Sequence, residues 1–192
     1  MKVTIDEVKK MLEAHTLSEK AIEDLYSILQ VFDLKKHQFF LREGQVCNYW
    51  GYIAQGLMRV YYYKKGKEIT EFFAAEGDYF SSLESYFKRT PSILIQEALE
   101  PTIVYAFEYD ELEKLCRKNS EVEHFFRKNL ENFLVFSQRR LDSLQFELAQ
   151  VRYEKMAKNF PHIILRAPSI YIASYLGITP ETLSRVRAKA NS

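Results

Sequence analysis

Cysteine is scarce in this sequence: Cys47 and Cys116 are the only two. That is too few for a disulfide framework or a four-thiolate iron–sulfur cluster, so both are expected to be small core residues. Histidine is scarce as well. His15, His37, His124 and His162 are scattered, and none falls between Phe39 and Phe107. An enzyme built on a cupin-like barrel would need clustered His and carboxylate ligands on those strands, so neither metal nor catalysis is expected. No apolar run approaches the roughly 20 residues of a membrane helix. The opening MKVTIDEVKKMLEAH is charged throughout and lacks the apolar stretch of a signal peptide. A cytoplasmic protein with no membrane partner is expected.

Net charge is small too, +1 over 192 residues. Its distribution is uneven. From Phe146 onward seven basic residues (Arg152, Lys155, Lys158, Arg166, Arg185, Arg187, Lys189) oppose three acids (Glu147, Glu154, Glu181). The tail is therefore +4, which leaves −3 on the first 145 residues. A basic module joined to a slightly acidic one fits phosphate binding by one end of the chain.

Aromatics are plentiful, with 13 Tyr and 14 Phe. Leu17-Ser18-Glu19 opens a helix that Ser18 can cap, with Ala21, Ile22, Leu25, Ile28 and Leu29 at helical spacing. From Phe39 to Phe107 aromatic and β-branched runs such as WGYIAQGLMRVYYY alternate with EGQ, KKGKE and EGDY. These read as strands joined by tight turns at Gly44, Gly66 and Gly77, and SILIQEALEPTIVYAF adds two strands broken at Glu100-Pro101. An all-β roll or barrel is predicted. Asp110 is placed to cap a short helix containing Leu112 and Leu115, and a long amphipathic helix begins near Ser120. In it Leu130, Leu134, Ser137, Leu141, Leu144, Leu148 and Val151 alternate by four and three, widened at the start by Phe125, Phe126 and Phe133. Such a seam can pack on its own barrel or pair with a second copy. Roughly 25 residues at 1.5 Å each outrun a small barrel, which favours the dimer. A further helix restarts near Phe146.

The last two dozen residues carry the most specific pattern. Ser169 can cap a short helix whose Ile172, Ala173 and Leu176 share a face. Gly177 supplies the positive φ of a tight turn, and Ile178 plugs the corner. Thr179 caps a second helix, with Pro180 in its first turn and Glu181 beside the positive helix end. This is a helix-turn-helix; the plainer reading is a helical hairpin with a solvated outer face. In projection Leu183, Val186 and Ala190 face inward, while Glu181, Ser184, Arg185 and Ala188 face outward, with Thr182 and Lys189 on a flank. Arg185 is expected to grip guanine and Glu181 to accept from cytosine, while Thr179, Thr182 and Lys189 hold phosphates. Arg187 projects toward the buried side and is left out of the reading set.

Barrel, long helix and helix-turn-helix in this order resemble the Crp–Fnr family of regulators over nearly the whole chain. GITPETLSRVR, from Gly177 to Arg187, is similar to that family's recognition-helix signature, and REGQ, GLMRVYYYKKGKEIT and GDYF are similar to its barrel phrases. The resemblance implies an α+β protein. Its parts would be a jelly-roll, cyclic-nucleotide-binding-like sensor (1–118), a dimerisation helix (119–145) and a DNA-binding unit (146–192). It implies a seam through Leu130, Leu134, Ser137, Leu141 and Leu144, and base reading by Glu181 and Arg185. Pro180 stands where many members carry a base-contacting Arg, so the preferred site is expected to differ. Family members continue into a β-hairpin wing, whereas this chain ends at Ser192, so a wingless unit is expected.

The sensor departs further. In cyclic-nucleotide-binding members GDYF precedes Gly-Glu, which holds the ribose, and a later Arg-Ser/Thr-Ala, whose Arg holds the cyclic phosphate. Here those positions are Ser81-Ser82 and Pro91-Ser92-Ile93. Losing that Arg removes the bidentate partner a buried phosphate needs. The resemblance thus places an effector pocket at Ser81, Ser82, Glu84, Arg89 and Ser92, for a small molecule other than cAMP. The expected function is a homodimeric transcription regulator that reads a palindromic site on double-stranded DNA, with room for a contact to RNA polymerase. The alternative is a small-ligand-binding barrel with a vestigial DNA-binding end.

Overall fold

A computed structural model describes residues 3–12 and 16–190; His15 lies outside these residues. Two helices, α1 (Ile5–Leu12) and α2 (Glu19–Ile28), precede eight strands. These are β1 (Leu29–Leu34), β2 (Phe39–Leu41), β3 (Tyr49–Gln55), β4 (Leu57–Lys64), β5 (Lys67–Ala75), β6 (Tyr79–Phe80), β7 (Ile95–Ala98) and β8 (Thr102–Glu108). A short helix α3 (Leu83–Lys88) interrupts them. Helices α4 (Tyr109–Lys118), α5 (Ser120–Phe146), α6 (Ala149–Asn159), α7 (Pro161–Arg166), α8 (Ser169–Tyr175) and α9 (Pro180–Ala190) follow.

The strands form two antiparallel four-stranded sheets, ordered β1-β8-β3-β6 and β2-β7-β4-β5. Ile53, Phe80, Val104 and Ala106 of the first sheet meet Met58, Val60, Phe72, Ala74 and Ala98 of the second, and this inner cluster holds the roll together. The outer faces are also covered. Trp50, Tyr105 and Phe107 on the first sheet pack under Val8, Leu12, Leu25, Leu112 and Phe125 of the flanking helices. Leu57, Phe73 and Ala75 on the second pack against Met156, Ile163, Ile172 and Leu183 of the C-terminal helices. Burial on both faces explains why all four residues of β7 are buried rather than alternately exposed.

The predicted turn glycines adopt positive φ: 84° at Gly44, 74° at Gly66 and 94° at Gly77. Three local assignments change. Leu29 leaves the helix and opens β1, because it pairs with Phe107 across the sheet. The cap of α4 is Glu108, whose carboxylate accepts from the Asp110 and Glu111 amides, not Asp110. Ser169 does not cap α8 either: Pro168 occupies that position, and the Ser169 hydroxyl accepts from Arg187 instead (2.8 Å).

Gly56 joins β3 to β4 at φ 102°, and a Cβ there would lie 2.5 Å from Thr102 Oγ1 and 2.6 Å from the Pro101 carbonyl. Backbone strain and a backbone clash act together. Gly56→Ala is therefore expected to destabilise the chain by about 2–4 kcal/mol in urea unfolding, whereas Gly66→Ala, with open space around it, costs about 1 kcal/mol.

Candidate nucleic-acid interface

The C-terminal helices reproduce each step of the turn. Gly177 sits at φ 65°, and the Ile178 amide reaches back to the Ala173 carbonyl (3.0 Å), closing α8. Thr179 Oγ1 accepts from the Thr182 amide (3.3 Å) and caps α9. Leu183 and Val186 are buried with Ile172, Ala173 and Leu176. The side chain of Ala190 lies outside the described residues. Glu181, Ser184, Arg185 and Lys189 are exposed, and Thr182 is half-buried. Arg185 donates to the Thr182 hydroxyl across one turn (3.1 Å). Thr179 beside Glu181 holds its carboxyl below the usual carboxylate range, so an acceptor stands ready at the helix start. Arg187 turns inward over the Tyr153 ring, as its projection predicts.

These helices are strapped to the second sheet by three arginines. Arg59 of β4 is fully buried between the rings of Tyr61 (4.2 Å) and Tyr171 of α8 (3.6 Å). Its guanidinium donates to Thr70 Oγ1 (2.9 Å) and Glu68 Oε2 (2.6 Å). Beside it Ser174 of α8 accepts from the Thr70 amide (2.9 Å) and donates to the Glu68 carbonyl (3.0 Å). Arg140 of α5 lies over the Tyr175 ring (3.7 Å) and donates to the carbonyls of Glu71 (2.8 Å) and Tyr175. Arg166 of α7 forks onto Glu76 (2.8 and 2.9 Å) and onto Glu100 (2.5 Å). None of these long-range contacts had a local signal in the sequence.

In α5 the predicted seam splits. Leu130 packs on the chain's own core, while Leu134 and Leu141 are 69% and 49% exposed, with Ser137 and Leu144 also exposed. The seam stops short of Leu148 and Val151, because α5 ends at Phe146 and Glu147 and Leu148 are extended. Arg152 and Lys155 of α6 reach back to Glu147 and fasten this break.

Ser81, Ser82, Glu84 and Ser92 come together on one cavity of about 290 Å3, closed on its far side by Phe133 and Ser137 of α5. Arg89 does not join them. At φ 55° it turns away, donating to the carbonyls of Cys47 (2.8 Å) and Tyr86 and stacking on Tyr109. The serines already serve the loop: Ser82 and Ser92 hydroxyls lie 2.9 Å apart, and Ser81 donates to the Tyr49 carbonyl.

Residues 31–119 match the family model of the cyclic nucleotide-binding domain. In sequence alone no curated protein matches the chain. Among solved structures it is similar to FixK2 from Bradyrhizobium japonicum, at TM-score 0.75 and 20% identity over 85% of each chain. CooA from Carboxydothermus hydrogenoformans superposes at TM-score 0.67 and 18% identity, over 98% of this chain and 84% of that one. The Thermus thermophilus catabolite activator protein gives TM-score 0.59 and 21% identity, over 93% and 85%.

The chain has the Crp–Fnr fold. Within that architecture the cavity at Ser81 and Ser92 is electrostatically wrong for a cyclic nucleotide. Its walls carry Glu71 and Glu84 and no Arg or Lys, so a cyclic phosphate would enter an acidic pocket without a cation to offset its desolvation. The residues present do not fit that nucleotide. Cys47 and Cys116 are packed against the helical core, and burial pushes the Cys116 thiol up to about 11, away from a reactive thiolate. Among the described residues no three His, Cys, Asp or Glu gather as metal ligands, and no helix is long and apolar enough to cross a membrane.

The tail's positive charge is also partly committed. Arg152, Lys155, Arg166 and Arg187 bind carbonyl, carboxylate or hydroxyl oxygens of this chain. The charge available to phosphates is therefore smaller than composition implies. Arg166 holds Glu76 at about 2, against an ordinary 4.5. A depressed carboxyl stabilises the fold above its unfolded value and loses that effect as pH falls through the folded one. The stability difference between wild type and Glu76→Gln is accordingly expected to be full at pH 7 and to shrink between pH 4.5 and 2 in urea titrations.

Proposed function

We propose that the protein is a homodimeric, sequence-specific DNA-binding transcription regulator. The observation that carries this reading is α9: a capped helix with a buried Leu183–Val186 side and an exposed Glu181, Ser184, Arg185 side. An exposed helix bearing short polar groups and one forked cation at its N-terminal half suits the major groove. Arg185 reads guanine through O6 and N7, and Glu181 accepts from a cytosine amino group. Thr179, Thr182 and Lys189 fix the register on phosphates, and Pro180 sets the helix start without a side chain long enough to read a base.

Residues 1–118 act as the sensor, 119–145 as the dimer helix and 146–192 as the reading unit. Leu134, Ser137, Leu141 and Leu144 form the dimer face, with Leu130 supporting it from the core side. Two exposed leucines on one helix stripe are the apolar area that a second α5 would cover. Since α8 is tied to β5, a change in the sensor moves the reading helices together with it, and an effector acts by favouring one spacing. That effector is a small molecule other than cAMP, held near Ser81, Ser82, Glu84 and Ser92. A cytoplasmic location and a contact with RNA polymerase belong to the same reading.

Fluorescence anisotropy with DNA selected by the protein tests it. Arg185→Ala is expected to weaken specific binding about 10- to 100-fold while leaving weak, salt-sensitive binding in place. Leu134→Glu with Leu141→Glu is expected to give monomers in analytical ultracentrifugation and to lose binding to a two-half-site duplex. Unchanged affinity in Arg185→Ala would overturn the assignment of α9.

A further inference from the structure

A second cavity, of about 450 Å3, lies where the sensor, α5 and the C-terminal helices meet. Phe72 and Phe73 of β5, Phe133 and Phe136 of α5, and Met156 and Phe160 beyond it form apolar walls. Its size falls in the roughly 300–1,000 Å3 range of small-molecule sites, and aromatic walls with a few convergent polar groups are what such sites present. It is separate from the cavity at Ser81 and Ser92, sharing only Phe133 with it. Leu134, Ser137, Leu141 and Leu144 of α5 do not line it.

The one ionisable carboxylate on this lining is Asp78, and the tyrosine hydroxyls and asparagine amides beside it are neutral. Asp78 presents a carboxylate whose Oδ2 accepts from the Ala75 amide (2.9 Å), while among the described residues Oδ1 accepts no hydrogen bond. Surrounding side chains desolvate that carboxyl and raise its pKa above the ordinary value. Asn129, only 7% exposed, donates Nδ2 to the Phe125 carbonyl (2.9 Å) and lines the cavity wall. Asn132 adds an exposed amide at the rim, and no Lys or Arg lines the space. On the same wall the buried Tyr79 hydroxyl has no hydrogen-bond partner among the described residues, and an unpaired buried polar group is a cost that a ligand's polar group relieves.

We propose that this cavity binds a small planar aromatic molecule carrying an amino group, with the ring among Phe72, Phe133, Phe136 and Phe160 and the N–H donors on Asp78 and Asn129. Because its walls come from three parts of the chain, the bound molecule fixes the C-terminal helices against the sensor. The site itself stands independently of the DNA reading; only its effect on operator affinity rests on that reading.

Isothermal titration of the full chain with 1-naphthylmethylamine and, as the anionic counterpart, 1-naphthoic acid tests the site. The amine is expected to bind at least tenfold more tightly than the acid. Asp78→Asn should reduce that preference to within about twofold. Asn132→Trp, at an exposed helix position, should roof the cavity and remove amine binding with the melting temperature unchanged. No heat from the amine at millimolar concentration, equal binding of amine and acid, or amine binding that persists in Asn132→Trp would each overturn the proposal. These arms contain no DNA, so their failure is distinguishable from failure of α9 to read an operator.

Discussion

The contact between α8 and the edge strand β5 is the constraint on which the arrangement depends. An arginine removed from water is tolerated where its charge finds a partner. Arg59 reaches Glu68 through Nη1 and Thr70 through Nε in its own sheet. Its Nη2 has no hydrogen-bond partner among the described residues, and the ring that closes over it, Tyr171, belongs to α8. Without α8 in place, Arg59 would face solvent and the outer side of Phe73 and Ala75 would lie bare. Ser174 then completes the edge of β5, accepting from the Thr70 amide and donating a hydrogen bond to the Glu68 carbonyl. An edge strand capped by a side chain in this way offers no template to another chain at that point. The same docking buries the inner face of the C-terminal helices against the second sheet and leaves the outer side of α9 exposed.

Much of this fold was legible because its signals are local. Gly44, Gly66, Gly77 and Gly177 sit where backbone must take positive φ, and the sequence around each says so. Thr179, Pro180, Leu183 and Val186 define α9 through a cap, a first-turn proline and one apolar stripe, all within eight residues. Boundaries were less legible, because a cap is decided by which side chain reaches an amide. Glu108 outcompetes Asp110, and Ser169 is drawn off by Arg187, which lies on another helix. Leu29 fits a helical stripe as well as a strand start, and its pairing with Phe107 decides between them.

Contacts between distant segments left no trace in the pattern. Arg166 counted toward a phosphate-binding tail, yet its fork closes on Glu76 and Glu100 beside the strands. Among the residues expected at the effector pocket, Ser81, Ser82, Glu84 and Ser92 were found together because they flank one short helix and its return. Arg89 lies in the same loop, but its left-handed backbone swings the guanidinium to Cys47, Asn48 and Tyr109. The two cavities consequently differ in chemistry: one is walled by serines and glutamates, the other by phenylalanines with acceptors at its rim. Neither supplies a cation for a phosphate.

The account stands or falls on α9 as a reader of DNA sequence. Selecting bound duplexes from a random pool with the full chain, and sequencing them, measures that directly. The account predicts enrichment of a twofold-symmetric site whose half-sites are centred about one helical turn, roughly 34 Å, apart. A pool that stays random after repeated rounds, or one enriched only in shape-dependent A·T tracts without half-sites, would contradict it.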